Sequence, residues 1–449
     1  MVSTQTDSPR ALALSTLLRI EQTKSYANLS LDAALKQNPL PAADRRLFTV
    51  LVYGVIERRI TLDHIISAVA SRKIDEIDEK TRMILRLGLY QLRFLDRIPP
   101  HAAVNESVSL ASRRTGGFVN ACLREYLRRG GDIKFPRRET EPIRYLSVAY
   151  SVPESLAERF YGEFGIDRAE RILNAFFSTS ALTIATNPLR CTREEYLALP
   201  EFAELEANPT AHAPNGVTIS TPVPIESLPG FSSGAFYVQD EASQICVEAL
   251  GALPGETIID ACSCPGSKSF GSALRMNNVG LVRSYDLHEN KISLVRRGAE
   301  RLGITILEAQ AQDGKVFVPA LEESADRVLC DVPCSGYGVM GKKPDIRYKN
   351  PEEADRLPEI QYAILDNCSR YVKRGGVLVY STCTVFSAEN QGNVTRFLSS
   401  HPEFSPEEFS VGDLRSEGGT ITLAPDTHGT DGFFVARMRR TDKRSPKRP

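Results

Sequence analysis

The 449-residue sequence predicts a multidomain fold: an all-α N-terminal domain, a small α+β linker domain, and a C-terminal α/β domain with a doubly wound, mostly parallel sheet. Three observations predict it. Apolar residues recur at helical spacing through residues 10–130, with no alternating stretch among them. A polar stretch punctuated by Pro136, Pro142 and Pro153 comes next. From about residue 236, short strand-like runs alternate with helical segments. The boundaries so drawn are 1–135, 136–235 and 236–440, with a basic tail at 441–449.

In the first domain, Leu14, Leu17 and Leu18 share a helical face, with Ser8 as cap and Pro9 in the first turn. Asp44 precedes RRLFTVLVYGVIERR, whose apolar residues surround most of a helix and so mark it as central. Asp78 is placed to cap a third helix carrying Ile84, Leu85, Leu89 and Leu92. The second domain opens with a helix near 154–177 and a strand-like LTIATN. In the third, TIIDA, LVRSYD, ITILEAQ, RVLCDV and VLVYSTC read as strands. Between them, Ile292, Val295, Ala299 and Leu302 line one face of a crossover helix.

Charge is unevenly spread. Residues 1–150 carry a net charge of +8 and the remainder −9, against −1 overall. A basic N-terminal third fits a polyanion such as RNA, and equally a solvated helix surface. Arg437–Arg448 reads as a frayed basic end. No apolar run is long enough to span a membrane, and the first residues do not read as a secretory signal. The nine cysteines are scattered and odd in number, which argues against a disulfide framework and for a reducing cytoplasm. Cys122, Cys191, Cys246 and Cys368 read as core fillers. A C-x-C pair, Cys262 and Cys264, is a weak zinc signal without a second pair, so no metal is expected.

Ligands of doubly wound sheets bind beyond the carboxyl ends of the strands. The first strand ends at Asp260 and runs into a turn of Cys262, Ser263, Cys264, Pro265, Gly266, Ser267 and Lys268. The second ends at Asp286, placed for a ribose diol, and the third leads to Asp313, suited to an adenine amino group. The fourth ends at Asp331. Neither GxxxxGK[ST] nor GxGxxG is present, which disfavours a triphosphate or dinucleotide. Three strand-end carboxylates and one glycine suit a nucleoside without pyrophosphate, and S-adenosylmethionine, with its sulfonium charge, fits.

Cys334 and Cys383 each lie just past a strand end, in PCSG and STCT contexts. Adjacent strand ends open on one cleft, so the pair is a candidate for nucleophilic chemistry. A thiolate can add to C6 of a pyrimidine, and an acid near N3, such as Asp331, stabilises the charge that builds in the ring. A second thiol could remove the C5 proton.

From Phe236 to Arg439 the sequence resembles the RsmB/Sun family of RNA cytosine-5 methyltransferases, through YVQDEASQ, DACSCPGSK, YDLHENK, DVPCSGYGVMGKKPDIRY, YSTCTVFSAEN and HGTDGFFVARMRR. Residues 10–130 resemble the NusB-type helical RNA-binding domain, through DRRLFTVLVYGVIERR, RIPPHAAVNESV and GFVNACLR. The resemblance implies S-adenosylmethionine as cofactor, held by the turn 262–268 with Asp286 and Asp313. It implies Cys383 as nucleophile, Cys334 for proton removal and product release, Asp331 against the cytosine edge or donor, and Lys268 between donor and base. It implies a Rossmann-like sheet of seven strands whose last pair is antiparallel, with TLAPDTHGTDGFFVARM as the final hairpin. The implied partner is small-subunit (16S) ribosomal RNA, methylated at one cytosine (position 967 in standard rRNA numbering); the sequence leaves oligomeric state open, with monomer the default.

Three positions depart from the family pattern. Ser267 stands where PGGK has glycine, a strained choice if that position needs positive φ. Ala185 replaces an arginine expected to touch RNA, and Tyr348 replaces the tryptophan of PDIRW. Two other readings therefore stay open: a weakened, RNA-binding assembly paralogue, and a DNA cytosine methyltransferase with Cys334 as nucleophile.

Overall fold

The structure, a computed structural model, describes residues 8–178, 181–221 and 224–441. It contains two compact units: one of residues through Asn174 together with Lys342–Pro351, the other of Ala175–Gly341 and the chain from Glu352 onward.

The first unit is all-helical. Its helices are α1 (Pro9–Thr23), α2 (Ala27–Gln37), α3 (Ala42–Glu57), α4 (Arg59–Val69), α5 (Glu79–Phe94), α6 (Pro100–Leu110), α7 (Gly116–Arg128), α8 (Pro142–Tyr150) and α9 (Glu154–Ala175). Both expected caps are present: Ser8 Oγ accepts the Arg10 N–H, and Asp78 Oδ1 accepts that of Thr81 at 3.0 Å. The apolar stripes meet in one core, where Leu17, Leu51, Val52, Val55, Leu62, Ile84, Leu85, Leu89 and Leu123 are buried. α3 and α5 cross closely at Gly54, because a Cβ there would sit 1.9 Å from the Tyr90 ring. The helical bundle continues past the proline-marked stretch. Thr61 Oγ1 donates to the Val148 carbonyl at 2.6 Å, and the Ile60 N–H donates to Ser151 Oγ at 2.9 Å. These bonds draw α8 into the bundle.

The segment 342–351, which lies in a methyltransferase-like block of the sequence, also packs in this unit. Arg347 donates to the Tyr150 carbonyl at 3.0 Å, and Tyr348 donates its hydroxyl to the Ile56 carbonyl at 2.8 Å. The Arg59 guanidinium lies 3.6 Å from the Tyr348 ring centroid, a cation–π contact. Tyrosine in place of tryptophan thus keeps both an aromatic face and a donor.

The second unit carries two sheets. The smaller is antiparallel, in the order β2-β3-β1-β4, from β1 (Leu182–Thr186), β2 (Ala207–Pro209), β3 (Gly216–Ile219) and β4 (Phe236–Val238), with helix α10 (Arg193–Leu197) beside it. The larger contains β5 (Thr257–Asp260), β6 (Leu281–Asp286), β7 (Leu307–Ala311), β8 (Ala325–Asp331), β9 (Val372–Thr382) and β10 (Phe404–Pro406). After a small ladder of β11 (Ser410–Val411) and β12 (Leu414–Arg415), β13 (Thr420–Leu423) and β14 (Phe433–Arg440) complete it. Its order is β10-β14-β9-β8-β5-β6-β7, with β13 also on β14. β5 to β9 are parallel and β14 runs antiparallel to β9. The sheet therefore has eight strands where the family pattern implied seven. The long strand β14 is covered along one edge by two short ones, β13 on Phe433–Ala436 and β10 on Met438–Arg440. The expected hairpin is the β13–β14 pair.

Helices α11 (Glu241–Leu250), α12 (Ser267–Arg275), α13 (Glu289–Leu302), α14 (Pro351–Asp355), α15 (Leu357–Ser369) and α16 (Gln391–Ser400) follow in chain order. Ile292, Val295, Ala299 and Leu302 of α13 are buried as one face. Arg437, Arg439 and Arg440 are not a frayed end. They belong to β14 and bond the Ala249, Gly375 and Val372 carbonyls or Glu407. The tail at 442–449 lies outside the described residues.

Candidate active site

Strands β6, β5, β8 and β9 deliver their carboxyl ends to one rim of the sheet, and the expected residues sit there. After β5 the chain turns through a cis Cys264–Pro265 bond and Gly266 at φ 113° into α12. Gly266 caps this helix, and Ser267 is its first residue, with ordinary helical φ. The positive-φ position is therefore glycine already, and the strain foreseen at Ser267 does not arise. Accordingly, Ser267→Gly should leave donor affinity within about twofold and lower thermal stability slightly, since glycine is the poorer helix former; calorimetry and a melting curve check both.

The turn is tied to its neighbours. The Cys264 N–H donates to Asp286 Oδ2 at 3.3 Å, and the His288 N–H to Asp286 Oδ1 at 3.0 Å. Ser263 is buried, its N–H donates to the Tyr285 carbonyl, and its Oγ has no partner among the described residues. Beyond β7, Asp313 Oδ1 accepts the Lys315 N–H at 2.9 Å, and a Cβ on the next residue, Gly314, would lie 3.7 Å from the Ala261 carbonyl. Asp313 thus opens on the loop beside the β5 turn. Burial raises the thiols of Cys262 and Cys264, the latter to about 12, with Asp286 adding to it.

Lys268 and Asp331 form the polar centre. Lys268 is buried, and its Nζ lies 2.6 Å from Asp331 Oδ2; Asp331 Oδ1 accepts the Ser381 hydroxyl at 2.8 Å. The register pairs Asp331 with Ser381 across β8 and β9. Burial is the largest single influence and would lower the Lys268 ammonium, but the charge and hydrogen bond of Asp331, with Cys246 and Asp260, together outweigh it and hold the group above the ordinary lysine range. Its face also meets the Phe433 ring, with Nζ 5.2 Å from the centroid.

Cys334 and Cys383 lie together beyond the same two strands. Their sulfurs are 3.0 Å apart, neither is in a disulfide, and both are partly exposed. The Cys383 N–H donates to Cys334 Sγ at 3.2 Å. The bond with Cys383, burial, and the Cys383 and Glu389 charges all push the Cys334 thiol well up.

Sequence reading did not single out a role for Asp260. It is 1% exposed, accepts the Ser269 hydroxyl at 2.6 Å, and is pushed by burial to about 7. Ser269 in turn accepts from Ser284 at 2.8 Å. Because the folded state holds this proton from an ordinary value of 3.8 up to about 7, stability contributed below pH 4 is lost as pH rises through that window. Asp260→Asn should flatten the decline of melting temperature across it. An unchanged slope would show that the carboxyl stays ionised.

Of the four cysteines expected in the core, Cys122, Cys246 and Cys368 are buried, whereas Cys191 is only half-buried against the small sheet. Ala185 is buried on β1 and lines a surface pocket of about 310 Å³ with Tyr237 and Gln244.

Comparison with known proteins decides the family. Residues 247–439 match the model for 16S rRNA methyltransferase RsmB/F, residues 7–128 the NusB family, and 152–226 the RsmF/B-like ferredoxin-like domain. The probable ribosomal RNA small subunit methyltransferase B of Bacillus subtilis is 36% identical, over 96% of this chain and 99% of its own length. The chain belongs to the RsmB/F methyltransferase family. The Thermus thermophilus ribosomal RNA small subunit methyltransferase B is 32% identical over 97% of this chain and 99% of its own. The crystal structure of PH0851 superposes with a TM-score of 0.78 at 26% identity, covering 98% of this chain and all of that one. The NusB match accounts for the helical segment at the start of the chain. No helix among the described residues is long and apolar enough to cross a membrane.

Proposed function

We propose that this chain methylates C5 of a cytosine in small-subunit rRNA, with Cys383 as nucleophile and S-adenosylmethionine as donor. Methyl transfer to rRNA follows from the family and from relatives named for it. The finer reading rests on one observation, the contact of two thiols beyond β8 and β9 beside the Lys268–Asp331 pair.

The residues around the β5 turn suit the donor. Asp286 and Asp313 offer carboxylate oxygens for hydroxyl and amino donors, and Ser263 has an unmatched buried hydroxyl. When bound, S-adenosylmethionine supplies an electrophilic methyl group. The protein's part is to make the base nucleophilic. The Cys383 thiolate adds to C6, which shifts electron density to C5 and N3; the Lys268 ammonium, held by Asp331, is the cation that would steady that charge, with Asp331 against the cytosine edge. After methylation the C5 proton must leave, and Cys334 is the group in contact with the covalent link that can take it. Elimination then returns Cys383 as thiolate and restores the aromatic ring.

Bisulfite mapping of rRNA from cells with and without the protein tests this. One cytosine, expected at position 967, should lose protection when the protein is absent. Methyl transfer to another atom or base, found by mass spectrometry of digested rRNA, would overturn it.

A further inference from the structure

The loops that carry the two thiols are pinned from behind by three buried polar side chains to which the chemistry above gives no role. Gln361 of α15 and Asn390 are 0% exposed and Glu389 is 5% exposed. Glu389 Oε2 accepts the Ser335 N–H at 2.9 Å and the Gln361 Nε2 at 2.8 Å. The same Gln361 nitrogen donates to the Pro333 carbonyl at 3.0 Å, so both residues flanking Cys334 are held. Asn390 does the same for Cys383: its Nδ2 donates to the Thr384 carbonyl at 3.0 Å, and its Oδ1 accepts the Thr382 hydroxyl. Ser335 Oγ donates to Thr384 Oγ1 at 3.0 Å, joining the two loops directly. Tyr380 donates to the Glu389 carbonyl, and Asn393 reaches the Gln361 side-chain oxygen at 3.1 Å, which closes the network.

We propose that Glu389, Gln361 and Asn390 form a positioning frame that seats the two sulfurs against each other and sets a carboxylate behind Cys334. Hydrogen bonds this buried and this interconnected fix geometry tightly, because any broken member leaves a polar group unmatched. The frame is also asymmetric. Its one charged member bonds the loop of Cys334, and the charges facing that sulfur, those of Cys383 and Glu389, both favour the neutral thiol. The phenol of Tyr380, also buried here, is itself raised and carries no opposing charge. A thiol raised in this way is the weaker attacking group and, once ionised, the stronger base, so addition to C6 falls to Cys383 and proton removal to Cys334. This division of labour rests on the assignment of Cys383 as nucleophile; the placing of the two loops does not.

Glu389→Gln tests the frame, because it removes the charge while keeping size and one acceptor. At pH 7.5, site-resolved iodoacetamide labelling of the full-length protein should show Cys334 reacting about tenfold faster relative to Cys383, as its thiolate becomes accessible. The turnover number should fall about tenfold or more, with KM for RNA and for donor unchanged, as expected for a sub-ångström error in placement. An unchanged labelling ratio in folded protein, or a change in KM alone, would overturn the proposal. Should Glu389→Gln fail to fold, Gln361→Met takes its place: it loosens the loop without touching the charge, and must lower turnover while leaving the pH profile of labelling where it was. A pH profile that moves in Gln361→Met refutes the assignment of charge control to Glu389. Failure of the cytosine-5 reading would instead appear as no covalent RNA link in any variant, whatever the labelling shows.

Discussion

Replacing Cys383 with alanine abolishes methyl transfer, whereas replacing Cys334 with alanine halts the enzyme while still bound covalently to RNA. The first change removes the only sulfur proposed to reach C6, so the cytosine ring never gains nucleophilic character at C5. Loss of a covalent nucleophile costs about 10⁴-fold or more in turnover. The second change leaves addition and methylation possible but removes the group in contact with the link at 3.0 Å, so the C5 proton stays and elimination stalls. A Cys334→Ala protein incubated with RNA and donor should therefore migrate as an RNA-linked species on a denaturing gel, sensitive to nuclease. The Cys383→Ala protein and the double variant should show none. Free turnover by Cys334→Ala would exchange the roles or dissolve them, and a link formed by Cys383→Ala through Cys334 would favour the DNA-methyltransferase arrangement.

The sequence revealed those two sulfurs because their placement obeys a rule of topology: residues just past adjacent strand ends share a rim. Asp331 and the β5 turn were legible for the same reason, whereas a role for Lys268 came only with the family resemblance. The helical unit was legible from periodicity and caps alone, as Ser8 and Asp78 show. What the sequence concealed depends on contacts distant along the chain. Nothing local to Gln361 marks it as a partner of Glu389, and nothing in PDIRY announces that Tyr348 bonds the end of α3. The strain foreseen at Ser267 failed through a shift of one residue. A turn motif specifies that some glycine must take positive φ, but only the backbone shows that Gly266 does so and that its successor is already helix. β10 escaped prediction because it is short and is stabilised by β14, not by its own pattern, whereas β13 came with the hairpin that the resemblance implied.

Breaking the Lys268–Asp331 pair from one side should damage both stability and activity, and the two losses can be separated. Asp331→Ala leaves an ammonium that is 9% exposed without its carboxylate at 2.6 Å. Removing one member of a buried pair costs about 3–5 kcal/mol; because the Asp331 side chain is a quarter exposed, water screens part of the interaction and the lower end applies. Lys268→Met is milder, since Asp331 retains the Ser381 hydroxyl and some solvent. The double variant Lys268→Met with Asp331→Leu removes both charges and should recover most of the stability lost in Asp331→Ala, because no buried charge is then stranded. Its activity should not recover. If the pair merely held β8 to the α12 turn, an apolar replacement that restores the melting temperature would restore turnover as well. If the charges act on the cytosine ring, the double variant melts like the parent, binds RNA like the parent, and fails to form the Cys383 link. Denaturant unfolding, RNA binding and adduct formation on the same three proteins decide between these outcomes.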